Sequence, residues 1–168
     1  LASFFNFKND CLFILTILII SMFIGVPFLP TKRKRARRMM ELAGISQGTR
    51  VLDLGSGAGR LLFLAATRGA MAVGYELNPI LYYWTKLMIL LKGCTGQVQV
   101  HCLSLYEADL RETDVVFTFL LNGPMKKLSS KLFTELPNGA KIVSYLFSIP
   151  DHTPSIKENG IMVYQVKK

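Results

Sequence analysis

The amino-acid sequence predicts a doubly wound α/β domain, on three observations. Short apolar runs alternate with helical patterns of roughly ten to fifteen residues, a glycine-rich turn separates the first run from the first crossover helix, and an acid closes the second run. Strands joined by helices of that length need crossovers, so the sheet is expected to be mostly parallel and covered on both faces. Thr31 is placed to cap a helix running to Ala43, with Ala36, Met39, Met40 and Ala43 on one apolar face and Gly44 as its stop. Strand, helix, strand and helix then follow over 50–54, 59–68, 70–75 and 79–92. Residues 97–102 alternate as a strand, 115–120 form a continuous apolar strand, 124–136 an amphipathic helix, and 140–147 and 161–166 two further strands. Pro137-Asn138-Gly139 and Asn159-Gly160 mark the turns before those last two. The segment 80–91, with Trp84 and two tyrosines, is apolar around the helix. It reads either as a buried helix completing the core or as a face that meets lipid or a membrane-embedded partner.

The N-terminal part has a different composition. Residues 11–29 carry no charge, and thirteen of these nineteen are Leu, Ile, Phe or Val. At the helical rise that stretch covers about 28 Å, close to the hydrocarbon thickness of a bilayer. A retained transmembrane helix within residues 1–30 is therefore expected, ending near Val26 because Gly25 and Pro27 weaken its last turns. A cleaved signal peptide would carry its basic residues before the apolar run, whereas here the cluster follows. The run Lys32-Arg33-Lys34-Arg35-Ala36-Arg37-Arg38 against Lys8 on the other flank predicts, by the positive-inside rule, a single-pass membrane protein with its domain, residues 31–168, facing the cytoplasm. The same run would attract anionic headgroups.

Charge and cysteine usage narrow the function classes. Basic residues outnumber acidic ones 20 to 11 in the 168-residue chain, but six of the twenty lie between Lys32 and Arg38. From Met39 onward the count is 13 to 10, so a nucleic-acid-binding surface spread over the domain is not what the charge describes. At 51 % hydrophobic and 18 % charged residues the chain is neither disordered nor collagen-like. Cys11, Cys94 and Cys102 are too scattered for a disulfide framework and none stands at metal-ligand spacing from a histidine, so free thiols and no metal are expected.

The chemistry concentrates in Val51-Leu-Asp-Leu-Gly-Ser-Gly-Ala-Gly-Arg60. Gly55, Gly57 and Gly59 permit a tight turn with positive φ, let a ligand approach the backbone, and lead into a helix N-terminus. The spacing is G-x-G-x-G and not the G-x-G-x-x-G of dinucleotide binders. Asp53, just before the turn, would repel a pyrophosphate but can hold a cationic group. Glu76, nineteen residues after Gly57, ends the second strand where an acid accepts both hydroxyls of a ribose. An acid on each side of the turn suits a sulfonium nucleoside better than a dinucleotide.

At these residues the chain resembles the class I S-adenosylmethionine-dependent methyltransferases, with VLDLGSGAGR as the first motif and VGYELNP as the second. It is most similar to a smaller group, the membrane-anchored protein-lysine methyltransferases of adenine nucleotide translocase and the ATP synthase c-subunit, with their prokaryotic relatives. The likeness runs over 27–154 and includes VPFLPT, MMELAGI, DVVFTFLL and ELPNGAKIVS. It implies a Rossmann-like methyltransferase sheet in which Asp53, Gly55, Ser56 and Gly57 wall the methionine end of S-adenosylmethionine. Glu76 would clasp the ribose with Leu77 and Asn78 close by, and Ser104 and Leu105 would flank the adenine. The chain departs from the group at Ser104-Leu105, where Asp follows the Ser, at Asn122, where Pro is usual, and at His152, where Trp is usual.

For the acceptor, Phe119, Asn122, Tyr145 and Phe147 fall at the carboxyl ends of the fourth and fifth strands, where ligands of open α/β sheets bind. Asn122 is the candidate polar orienter at the reacting centre, and the three aromatics are candidate walls of a substrate channel. On buried strands, residues such as Phe119 and Phe147 are more often ordinary core side chains. The expected acceptor is a lysine of a protein at the membrane. A lipid or small amphiphile, and an inactive cofactor-binding adaptor, are the alternatives.

Overall fold

The expected sheet forms, and its centre lies where the apolar runs are unbroken. In a computed structural model describing residues 31–168, the seven strands are Arg50–Leu54 (β1), Met71–Tyr75 (β2), Val98–His101 (β3), Val115–Thr118 (β4), Lys141–Tyr145 (β5), Ile156–Glu158 (β6) and Ile161–Gln165 (β7). Their order is β3-β2-β1-β4-β5-β7-β6, parallel from β3 to β5, with β7 antiparallel to both β5 and β6. β4 is buried along its whole length and β1 from Val51 onward, as interior strands covered on both faces must be. The sheet's direction of winding reverses between β1 and β4, and there the carboxyl ends part to leave a crevice. β6 was not visible in the sequence. Ile156-Lys157-Glu158 is a three-residue edge strand with two exposed positions and no apolar alternation to betray it.

Four helices accompany the sheet: Arg33–Ala43 (α1), Arg60–Ala66 (α2), Pro79–Leu91 (α3) and Asn122–Glu135 (α4). α1 buries the predicted face, with Ala36, Met39, Met40 and Ala43 all at most 2 % exposed, and ends at Gly44 in the left-handed conformation. Its cap differs from expectation. Lys32, not Thr31, holds the N-cap position and makes no side-chain cap bond. The Thr31 carbonyl instead accepts from the Arg60 guanidinium.

Both faces of the sheet are covered, as expected, but unequally. α1, α2 and α3 pack one core with Val51, Ala72, Val100, Phe117 and Val143. On the other face only α4 and the segment around Ala108 and Leu110 cover Leu52, Leu54, Val116, Ile142 and Tyr164. The β3–β4 connection holds a single 3₁₀ turn, Leu105–Glu107, because Ser104 and Glu107 close a capping box over it and no apolar periodicity extends it. α3 is likewise not the buried helix that its composition allowed. It buries Leu81, Thr85 and Ile89 and leaves Tyr83, Leu87, Leu90 and Leu91 between 49 % and 71 % exposed.

The membrane expectation is corrected. Among the described residues no helix is long and apolar enough to cross a membrane, so a single-pass location with a cytoplasm-facing domain is unsupported. The apolar stretch 11–29 that prompted it lies outside the described residues. Among the described residues no cluster of His, Cys, Asp or Glu could hold a metal, and Cys94 and Cys102 are free thiols.

Candidate active site

The site begins as a turn wrapped around the end of β2. Gly55, Gly57 and Gly59 all adopt positive φ, of 87°, 55° and 74°, as the alternating glycines predict. The amides of Gly55 and Ser56 both donate to the Tyr75 carbonyl, at 2.9 and 3.0 Å, which ties the turn to the second strand. Fully buried Thr85 of α3 donates from Oγ1 to the Gly57 carbonyl at 3.1 Å. Its role was missed by sequence reasoning, although a threonine within an otherwise apolar helix was the available signal. Gly74, opposite Asp53 in the β1–β2 register, is required by packing. A Cβ there would stand 2.6 Å from both Ser56 Oγ and Leu62 Cδ1.

Both predicted acids point into this turn. Glu76 Oε2 accepts from the Gly57 amide at 2.7 Å and Oε1 accepts from the Asn78 amide at 2.8 Å, so the carboxylate is fixed by main chain and keeps acceptor capacity for a ligand. Burial raises its pKa, while the amides of Asn78, Gly57 and Leu77 act in the opposite sense. Asp53 is 5 % exposed, and its pKa is pushed up to about 7 by burial first and by the charge of Glu76 second. The two acids are near enough for the charge of Glu76 to act on Asp53, and no cation stands among the causes of either shift. The Oγ of Ser56, within the turn, is buried without a hydrogen-bond partner, as is the Oγ1 of Thr118 at the end of β4 opposite Leu54.

That donor set fits S-adenosylmethionine. A sulfonium and an ammonium would compensate the two carboxylates, a ribose hydroxyl would use the acceptor capacity left on Glu76, and the orphaned Ser56 hydroxyl implies a polar ligand. A phosphate-bearing ligand would meet only repulsion from Asp53.

The remaining cofactor candidates divide. Asn78 is buried, and its Oδ1 accepts from the Ile80 amide at 3.0 Å, so it caps α3 and holds the chain that carries Glu76. Leu77 is 52 % exposed at the rim. Ser104 accepts from the Tyr106 amide through its Oγ and caps the 3₁₀ turn, while Leu105 packs on the core under α4.

The acceptor candidates do come together. Phe119 lies edge-on to Tyr145 with ring centroids 5.0 Å apart and stacks on Phe147 at 6.1 Å. All three are half-buried, which corrects the reading of Phe119 and Phe147 as ordinary core. The end of β4 that carries the cluster lies beside the turn, since Thr118, the residue before Phe119, pairs with Leu54, the residue before Gly55. Phe147 is positioned by contacts that sequence reasoning did not find. Buried Ser144 donates to the Phe147 carbonyl at 2.5 Å, Leu146 adopts a positive φ of 65°, the Ile149 amide donates to the Tyr164 hydroxyl, and His152 stacks on Phe133 of α4 at 3.5 Å. Asn122 is the exposed first residue of α4.

The family model of the ANTKMT methyltransferase domain matches residues 53–156, a span that opens at Asp53 and includes both acids and the three aromatics. The chain is 38 % identical over 146 residues to a protein-lysine N-methyltransferase of Saccharolobus islandicus, covering 84 % of this chain and 91 % of that protein. It is 31 % identical to the human ATP synthase c-subunit lysine N-methyltransferase and 34 % identical to the mouse adenine nucleotide translocase lysine N-methyltransferase. Each of those alignments covers 78 % of this chain, which spans 56 % and 57 % of the two relatives. A solved RNA methyltransferase of Salinibacter ruber in complex with S-adenosyl-L-homocysteine superposes with a TM-score of 0.79 at 32 % identity, over 83 % of this chain and 95 % of that one. With the acid pair, the glycine turn and the sheet order in agreement, the chain belongs to the ANTKMT methyltransferase-domain family of S-adenosylmethionine-dependent N-methyltransferases.

Proposed function

We propose that this protein, through a catalytic domain spanning residues 31–168, methylates the side-chain amine of lysine in a protein. The observation that carries the reading is the adjacency of two unlike surfaces: a buried acid pair on the glycine turn, and an aromatic cluster at the ends of β4 and β5. When bound, S-adenosylmethionine supplies an electrophilic methyl group on a positive sulfur. Asp53 and Glu76 attract and orient that cation, with Gly55, Ser56 and Gly57 forming the floor and Ser104 and Leu105 the adenine side. Phe119, Tyr145 and Phe147 act on the acceptor. Apolar walls exclude water and disfavour the ammonium form of a lysine entering between them, which lowers its pKa and exposes the lone pair that attacks. Asn122 is assigned as a polar orienter at the mouth.

The relatives named as lysine methyltransferases support a protein acceptor. An acceptor held at a membrane draws no support from the described residues. A second reading, methylation of RNA, is favoured by the Salinibacter ruber neighbour's description. Incubating the full chain with labelled cofactor and lysine-bearing peptides, or with an RNA oligonucleotide, decides between them by mass spectrometry. Methyl increments on lysine are expected. Increments confined to RNA bases would overturn the assignment.

A further inference from the structure

Most of the basic run lies on a helix face that the core does not use, and that face borders the acceptor end of the site. Lys32, Arg33, Lys34 and Arg37 are exposed, and none makes an ion pair with another described residue. Two contacts fix the face in place. At one end Arg60, the residue after the glycine turn, donates to the Thr31 carbonyl, and its pKa is depressed by burial first and by the charge of Arg33 second. At the other end Arg38 makes a two-pronged contact with Glu158, Nε to Oε1 at 2.9 Å and Nη2 to Oε2 at 2.7 Å, and donates through Nη1 to Glu41 at 3.0 Å.

Glu158 starts the turn that continues into Asn159 and Gly160, and that turn touches the acceptor cluster. The Leu146 amide donates to the Gly160 carbonyl at 2.7 Å, and a Cβ on Gly160 would stand 3.5 Å from the Tyr145 ring. Between helix and turn lies a depression of about 360 Å³, lined by Lys34, Arg35, Arg37, Arg38, Glu41 and Glu158.

Resting on the lysine reading above, we propose that this basic face docks an acidic segment of the substrate protein that flanks the acceptor lysine. A cationic acceptor approaching a cationic rim is repelled unless its own neighbours carry compensating carboxylates, and opposite charges at a rim raise the rate of encounter. The partner is an acidic protein segment and not a nucleic acid for two reasons. Arg38 is already compensated by Glu41 and Glu158, so the cations left unpaired are few and confined to one helix, enough for scattered carboxylates and too few for the successive phosphates of a polynucleotide. Beyond the run, basic and acidic residues nearly balance at 13 to 10, so no track continues for a polynucleotide backbone.

The test uses the full chain and two fluorescent peptides of equal length with one central lysine, one flanked by four acidic residues and one by four serines. Binding is read by anisotropy and transfer by mass spectrometry, at low and high salt. The acid-flanked peptide is expected to bind about tenfold more tightly at low salt and to lose that advantage at high salt. The triple reversal Arg33→Glu, Lys34→Glu, Arg37→Glu is expected to abolish the preference, as is the triple change of the same residues to Gln. Cofactor affinity by calorimetry reports that both variants are folded. Equal binding of the two peptides by the unaltered chain, or a preference surviving in both variants, overturns the docking surface. So does a single-stranded RNA oligonucleotide that binds through the same three residues more tightly than the acidic peptide. Lysine methylation at equal rates in both peptides rejects the docking face and keeps the lysine reading. Salt-sensitive, residue-dependent peptide binding without any transfer to lysine keeps the docking face and rejects the reading.

Discussion

The cofactor end and the acceptor end of this site are built on opposite principles. Around the glycine turn, position is set by main chain: the amides of Gly55, Ser56, Gly57 and Asn78 make the bonds that count, and two of them hold Glu76. At the acceptor end, position is set by side chains stacked on one another and by a loop in strained conformations, with Leu146 and Asp151 at φ of 65° and 61°. A main-chain cradle tolerates little change and serves one ligand. A side-chain cluster on a loop can be repacked, so acceptor choice can vary while cofactor choice does not.

Removing the Glu76 carboxylate is the largest test of that contrast. Glu76→Ala is expected to weaken S-adenosylmethionine binding by on the order of 10³-fold in calorimetry, because it frees two amides and deletes the ribose acceptor together. A loss under tenfold would break the main-chain account.

Asp53→Asn sharpens the electrostatic side of it. The Asp53 pKa is raised in the fold to about 7. Its contribution to the stability of the unliganded domain is therefore fully present below the unfolded value and is lost as pH rises through the folded one. Denaturant unfolding of the unliganded protein is expected to show stability falling from about pH 4 to pH 8 by roughly 2–4 kcal/mol from this group, and Asp53→Asn is expected to flatten the slope. The same change should weaken the cationic cofactor above pH 7, where the aspartate is charged.

Gly74→Ala probes the packing beneath the turn. Forcing a Cβ to 2.6 Å from Ser56 Oγ is expected to cost about 2 kcal/mol in unfolding, with reduced cofactor affinity as the turn shifts.

At the other end, Phe119→Ala is expected to lower kcat/KM for a lysine peptide about tenfold while leaving cofactor affinity within a factor of about two, since it removes an apolar wall and no cofactor contact. The smallest effect is expected for Asn122→Ala, under about threefold in kcat/KM, because the residue is exposed at the first turn of α4. A loss above about 100-fold there would make Asn122 the central orienter and place the reacting centre nearer the β4–α4 loop.

Legibility in the sequence followed how local the cause was. Alternating glycines between an apolar strand and a helix can form few other structures, and an acid ending the next strand is aligned with them by parallel pairing, so the cofactor end was readable. Ser104 and Asn78 were placed in the right loops, yet both caps serve their own turns, a use of short polar side chains that competes with ligand binding and leaves the same trace in sequence. The exposure of α3 was unreadable because an apolar circumference does not say which neighbours arrive. The missing helix between β3 and β4 was hinted at only by absent periodicity.

By itself the sequence determined the α/β class, the order of alternating elements, the glycine turn with its two acids and hence the donor, because each depends on residues within one strand-turn-strand unit. Only tertiary structure decided that β7 lies antiparallel between β5 and β6, that Phe119, Tyr145 and Phe147 form one cluster, and that Arg38 reaches Glu158 across 120 positions. The physical reason is range. Backbone conformation and register are dictated by neighbours in the chain, whereas the company of a side chain depends on which distant segments the whole sheet brings against it.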